Sequence, residues 1–337
     1  MNLVAETWRE IAPAPPDAGW QSRRLHPGAP YGLLAARRGG DDAEALIFAI
    51  ASRSLPIGTT LPDCAGFQVV IEPIESGPGG RCRLCLVLKD RRYLDVIATL
   101  AQDVVDRVLS SPDEAIAVRA FLGRLNTWQR FLERFGTAML SREEQIGLFA
   151  ELHLLETEIQ PRLGAAGAVR AWRGPFGEPQ DFRTESLAIE LKATSAISAG
   201  SFLVSNLEQL DHGTATSLLL CHVALVENTG GELSLPDLVQ RLRTQLSSVD
   251  PGAAVEFDAA LIEAGYLDIH SATYADRRFA VRKISWYEVR EGFPRLTLAS
   301  VPVGVTASRY TVSLASCAPF EIGKEEAVNL IEATRSA

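Results

Sequence analysis

Three residues within one short stretch have the types and spacing to hydrolyse a phosphate ester: Asp181, Glu190 and Lys192. In Leu187-Ala188-Ile189-Glu190-Leu191-Lys192-Ala193-Thr194, strand alternation puts Leu187, Ile189, Leu191 and Ala193 on one face and Ala188, Glu190, Lys192 and Thr194 on the other. Glu190 and Lys192 therefore point the same way. Asp181 lies nearby in sequence and returns to the side of Glu190 through a hairpin turned at Thr184-Glu185-Ser186. That brings two carboxylates and an ammonium together, with the carboxylates expected close enough to share one hydrated divalent ion. A hard cation such as magnesium takes oxygen ligands and keeps its remaining positions for water and phosphate oxygens. A lysine beside it would orient the attacking water or help deprotonate it. The same pattern also fits a surface hairpin whose Glu190 and Lys192 form an ion pair of small value. The three residues alone leave both readings open.

Glu151 favours the first. Its helical neighbours are Gly147 and Leu148 one turn before and Leu154 and Leu155 one turn after, so it has no polar face of its own. A carboxylate buried there needs a metal, a cation or hydrogen-bond donors. Its outlets are the site or an arginine such as Arg142 or Arg173, and the supply of Asp181 and Glu190 by the same segment favours the site.

The elements that must hold these residues can be read from punctuation and periodicity. Ser141-Arg142-Glu143-Glu144 is a capping box that opens an apolar helix, expected to run to about Ile159 before Pro161 stops it. A loop rich in Gly and Ala should follow, then a turn at Trp172–Gly177 and a short strand at Asp181-Phe182. Leu187–Thr194 and Leu218–Val226 read as apolar strands, with a polar helical stretch at Ser205–Leu210 between them. The tail carries helical patterns at Leu235–Leu246, Ala254–Ala264 and Lys324–Thr334, and strands at Phe279–Val289 and Tyr310–Leu314.

Before this α/β region, Tyr31–Ala36, Ala45–Ala51, Phe67–Ile74 and Cys82–Leu88 read as strands broken by Gly39-Gly40 and Gly77-Pro78-Gly79-Gly80. From Tyr93 to about Phe135 the apolar period becomes helical. The expected division is an N-terminal β-rich domain over 1–92, a helical bridge over 93–135 and an α/β domain with a mixed sheet over 136–337.

The chain has 337 residues, 47% of them apolar and 22% charged, which excludes disorder, collagen and a disulfide scaffold. No apolar run approaches the ~20 residues that cross a bilayer, and the start lacks a secretory pattern, so a cytoplasmic protein without membrane contact is expected. A net charge of −9 argues against broad nonspecific binding to nucleic acid while leaving room for a local basic groove. Nearly all positive charge is arginine, with lysine only at 89, 192, 283 and 324, which makes the context of Lys192 telling.

With these residues in hand, the sequence resembles the PD-(D/E)XK nuclease superfamily, the restriction-endonuclease-like fold. The resemblance is carried by Gly147-Leu148-Phe149-Ala150-Glu151-Leu152, by Pro179-Gln180-Asp181-Phe182 and by Ile189-Glu190-Leu191-Lys192-Ala193-Thr194, within about residues 141–226. More narrowly, and over most of the chain, it is similar to a bacterial family of PD-(D/E)XK proteins found among restriction and phage-defence genes. Gln180 stands between Pro179 and Asp181, so the literal Pro-Asp dipeptide is absent while the acid is retained.

The resemblance implies an α/β (α+β) fold, a restriction-endonuclease-like core with a mixed central sheet beside the β-rich domain. It implies Asp181 and Glu190 as metal-binding acids, Glu151 as an auxiliary acid that also serves the metal, Lys192 as the catalytic lysine, and Gln209 as a glutamine often seen on the helix after the lysine strand. The implied activity is magnesium-dependent or manganese-dependent DNA cleavage in a defence system. DNA is the implied partner, with other defence-system proteins and a second copy of the chain left open. The alternative is a catalytically silent DNA-binding or assembly subunit that keeps the fold.

Other features have plainer readings. Cys82 and Cys85 have the spacing of half a zinc site, but no second pair follows, and their strand-like flanks suit buried reduced thiols. His153 and His212 could line the site, yet single histidines are more often structural. Trp172 and Phe176 could stack on a base but sit where a turn would cap the core. No Walker-type phosphate loop or supported Ser-His-Asp order is present.

Overall fold

A computed structural model describes the chain except residues 1, 14, 16, 18, 75–78, 196–199, 229–231 and 335–337. Residues 77 and 78 of the expected Gly-Pro turn therefore lie outside the described residues. The chain forms two compact units, Met1–Ala138 and Met139–Ala337.

In the first unit, α1 (Leu3–Glu10) precedes β1 (Trp20–Arg24), β2 (Gly32–Arg38), β3 (Glu44–Ala51), β4 (Phe67–Pro73) and β5 (Arg81–Leu88), followed by α2 (Leu94–Leu109) and α3 (Glu114–Phe135). The five strands form one antiparallel sheet in the order β1-β2-β3-β5-β4. The helices of 93–135, expected as a bridge, lie inside this unit. Phe121 of α3 packs on Phe48 of β3 with ring centroids 5.6 Å apart, and Asp103 of α2 accepts from Trp128 and Arg124 of α3. With α3 on the sheet and α2 packed on α3 and α1, their apolar stripes face neighbours within the unit, which leaves no reason for them to stand apart. Cys82 and Cys85 both lie on β5, where a separation of three residues turns their side chains to opposite faces. Burial pushes the Cys85 thiol up to about 12.

The second unit runs α4 (Arg142–Leu154), α5 (Gln160–Ala171), β6 (Phe182–Arg183), β7 (Leu187–Thr194), β8 (Ser201–Val204), β9 (Ser217–Asn228), β10 (Leu233–Ser234), α6 (Leu235–Val249), α7 (Pro251–Glu263), α8 (Ser271–Ala275), β11 (Arg278–Glu288), β12 (Tyr310–Ser313), α9 (Leu314–Cys317), β13 (Glu321–Ile322) and α10 (Lys324–Ala333). The main sheet has the order β10-β11-β9-β7-β6, and β13 adds to β11. Only β7 and β9 are parallel, so the sheet is mixed. One face, with Leu187, Ile189, Leu191, Leu219 and Cys221, packs under α4 to α7. The other, with Ala188, Leu218, Leu220 and Tyr287, is covered by the β8–β12 ribbon through Phe202, Val204 and Val312. β7 is apolar on both faces over residues 187–189 because it is paired on both edges and covered on both faces there.

Three expectations fail here. Pro161 does not stop the helix: a widened turn at Leu155–Ile159 leads into α5, where Pro161 occupies the first turn and needs no N–H donor. The Gly- and Ala-rich segment is therefore helical, broken only at Gly164, whose φ of 73° suits a residue without a Cβ. Ser205–Leu210 forms turns, because its own side chains take the backbone donors that a helix would use. Asn206 Oδ1 accepts from Gln209 N at 2.9 Å, and Gln209 Oε1 accepts from Ser205 N at 2.8 Å. Among the described residues, no helix is long and apolar enough to cross a membrane.

Candidate active site

The hairpin turned at 184–186 pairs Phe182 with Ile189 and Arg183 with Ala188, so Asp181 meets β7 beside Glu190 and Leu191. Its Oδ2 accepts from Leu191 N at 2.7 Å. The Asp181 carbonyl accepts from Arg173 N and Gly174 N, which ties the strand to the Trp172–Gly177 turn. From the helix side, Glu151 of α4 reaches the same turn. A Cβ on Gly174 would lie 2.9 Å from Asp181 Oδ1 and 3.1 Å from Glu151 Oε2, so both oxygens converge on one point at a residue with no side chain.

Glu190 is 1% exposed, and its Oε1 accepts from Lys192 Nζ at 2.7 Å. Its Oε2 is buried and has no hydrogen-bond partner among the described residues. Lys192 Nζ donates also to Gln209 Oε1 at 3.1 Å. The fold thus brings together all five residues singled out in the sequence, with Gln209 supplied by a turn and not by a helix. Glu151 does not pair with either expected arginine: Arg142 binds Glu227 and Ser195, and Arg173 binds Glu178 and stands over Phe176. Its donor is the Trp172 indole, at 2.7 Å.

The electrostatics follow from burying three carboxylates beside one ammonium. Burial, then the Asp181 carboxylate, push Glu151 up to about 8, against the opposing pull of the Trp172 N–H. Burial pushes Asp181 up to about 6, against the Leu191 N–H and the Lys192 charge. Glu190 is pushed well above the ordinary carboxylate range, by burial first and by Asp181 second. Fully ionised, the three acids and Lys192 would leave an excess of two negative charges in a poorly solvated place, which a divalent cation would balance. The all-oxygen donor set and the orphaned Glu190 Oε2 also suit a hard divalent ion. No three His, Cys, Asp or Glu side chains among the described residues already close on one point as a complete ligand set. Lys192 holds one of the Glu190 oxygens that such a set would use.

A family model described as "Putative PD-(D/E)XK family member, (DUF4420)" matches residues 4–315. The chain belongs to this family. No curated protein and no solved structure matches it. The PD-(D/E)XK match runs through both units, so the β-rich unit and its helices belong to the family along with the stretch that holds the acids and the lysine.

Around the PD-(D/E)XK residues, the fold places three more. Trp172, fully buried, holds Glu151 and does not present its ring for base stacking. Gln180, 2% exposed, is no mere insertion: its Nε2 donates to the Glu208 and Asp211 carbonyls at 2.7 and 3.1 Å, and its Oε1 accepts from Arg183 at 2.8 Å. His222 stands in register with Lys192 on β9, buried, with its Nε2 unpartnered among the described residues. The other two candidate histidines, His153 and His212, make contacts elsewhere. His153 stacks on Phe149, and His212 meets Arg295. Only an alignment of the β7 and β9 registers could have found His222, and one sequence does not contain it.

Proposed function

We propose that this PD-(D/E)XK protein is a divalent-cation-dependent DNA endonuclease. The observation that carries the reading is that Glu151 and Asp181 meet over Gly174 while Glu190, the β7 neighbour of Asp181, holds Lys192 through one oxygen and leaves its buried Oε2 without a partner among the described residues. Asp181 and Glu190 would hold a magnesium or manganese ion, with Glu151 as the auxiliary acid. When bound, the ion supplies a Lewis acid that polarises the scissile phosphate and lowers the pKa of water. Lys192, held on Glu190 Oε1 and Gln209 Oε1, would offer its remaining N–H to the attacking water and offset charge developing on the phosphate. Leu191 N fixes one Asp181 oxygen, so that the other is presented to the site. Trp172 fixes Glu151 in the same way.

DNA would approach where the face of β7, β9 and β11 leaves the β8–β12 ribbon. There the row after Lys192 is Thr194, Ala224 and Lys283, two small residues and an exposed cation. The restriction or phage-defence setting, partner proteins of that system and a homodimer rest on the sequence resemblance. The restriction-endonuclease-like arrangement of the core is supported by the mixed sheet and by the hairpin that presents the acids.

The net charge of −9 falls entirely on residues 139–337, the unit that holds the site, and this favours the second reading, a catalytically silent DNA-binding or assembly subunit. Incubating the purified protein with plasmid and Mg2+ or Mn2+, beside Lys192→Ala, separates the two. Nicking or linearisation by the wild type alone supports the nuclease. Intact plasmid at every cation concentration, with DNA retained in a mobility-shift assay, supports the silent subunit.

A further inference from the structure

Gln180 is covalently next to one candidate metal acid and clamps the loop that carries the partner of Lys192. Its amide is engaged on both sides: both N–H donors go to loop carbonyls, and its oxygen receives Arg183, which in turn reaches Thr214 Oγ1 at 2.8 Å. At 2% exposure no solvent can replace these bonds. The clamped segment lacks helical or strand pairing of its own, so the positions of Glu208–Asp211 depend on such side-chain bonds and on the buried Leu207 and Leu210. From this segment Gln209 Oε1 accepts both Lys192 Nζ and Ser205 N. Lys192 Nζ is held by Glu190 Oε1 and Gln209 Oε1, so if Glu190 were to give its oxygens to a cation, Gln209 would remain as the acceptor that keeps the ammonium in the site.

We propose that Gln180 is a positioning residue: its buried amide fixes the 205–211 loop so that Gln209 holds Lys192 beside the acids. The catalytic half of this statement rests on the nuclease reading, while the structural half does not.

Two measurements on Gln180→Ala and the near-isosteric Gln180→Glu, whose carboxylate would face two carbonyls, test it. The first is amide hydrogen exchange of the cation-free full chain. The Ser205 and Gln209 amides, whose acceptors are Gln209 Oε1 and Asn206 Oδ1, should exchange about tenfold faster or more, with the β7 and β9 ladders unchanged. Acceleration of all amides alike, or of none, overturns the proposal. The second is a kinetic cycle with Gln209→Ala. Each single variant should lower kcat about 10–100-fold at nearly constant KM, and the double variant should be no worse than Gln209→Ala alone. Multiplicative losses would mean that Gln180 does not act through Gln209. If the wild type cuts no DNA, the nuclease reading fails, and the exchange measurement still decides whether Gln180 sets the loop.

Discussion

Trp172 donates its indole N–H to Glu151 Oε2 at 2.7 Å, the bond that an arginine would otherwise supply to a buried acid. The difference is chemical. A guanidinium would fix Glu151 as an anion and neutralise it permanently, whereas a neutral donor orients it and leaves its charge available to a cation. Trp172→Phe keeps most of the packing and deletes the donor. A lost hydrogen bond to a buried group costs about 1–3 kcal/mol. Without the N–H, Glu151 should hold its proton still more firmly, so Mn2+ affinity should fall several-fold at pH 7 and recover at pH 9. Calorimetric titrations at the two pH values test this; equal affinities at pH 7 would reduce Trp172 to a packing residue.

The raised acids give the cation-free protein a definite pH response. Glu151 titrates near 8 in the fold and near the ordinary carboxylate value when unfolded, so between those values the folded state holds a proton that the unfolded chain has lost. Stability therefore falls as pH rises through that window, and the whole penalty is present above about 8. Glu151→Gln removes this contribution while preserving shape. Its Tm relative to wild type should climb from pH 5 to pH 8.5 in EDTA, and saturating Mg2+ should shrink the difference by stabilising the wild type at high pH. A difference that stays flat with pH would show that Glu151 is not protonated in the fold.

These residues also show what the sequence made legible. Glu190 and Lys192 could be placed on one face because strand alternation is local, and Asp181 could be returned to them because a three-residue turn leaves few registers open. Glu151 stands out by its apolar helical neighbours. The remainder depended on non-local or side-chain terms. Pro161 looked like a stop because the widened turn before it is invisible to a 3.6-residue period. Ser205–Leu210 looked helical because side-chain competition for backbone donors leaves the apolar spacing unchanged. The small strands β1, β8 and β10 exist through pairing and not through their own pattern.

Gly174 offers a steric test of the convergence. A methyl group there would stand 2.9 Å from Asp181 Oδ1, closer than contact permits, and 3.1 Å from Glu151 Oε2. Because both neighbours are the proposed cation-holding acids, Gly174→Ala should lower Mn2+ affinity at least about tenfold while costing the ~1–3 kcal/mol of a modest overpacking. Melting curves with and without Mn2+ read both quantities on one sample. A variant that loses stability but keeps its Mn2+-induced rise in Tm would place the cation away from Asp181 and Glu151.

Lys192→Ala separates the lysine's electrostatic and chemical roles. In the cation-free protein Lys192 Nζ occupies Glu190 Oε1, so its removal frees an oxygen of an acid that is 1% exposed. Deleting one partner of a buried pair costs ~3–5 kcal/mol when the other must stay charged. Glu190 has its pKa pushed well above the ordinary range and can take a proton instead, so the loss near neutral pH should be smaller than that. With the ammonium gone and an oxygen released, divalent cation affinity should equal or exceed that of the wild type. DNA cleavage at saturating cation should nevertheless fall about 10²-fold or more, the scale of a missing proton-handling or charge-offsetting group. Tight binding joined to lost cleavage would assign Lys192 to the attacking water and the phosphate. A parallel loss of both would make it a residue that merely shapes the acids, and the reading of Lys192 as catalytic would have to be withdrawn.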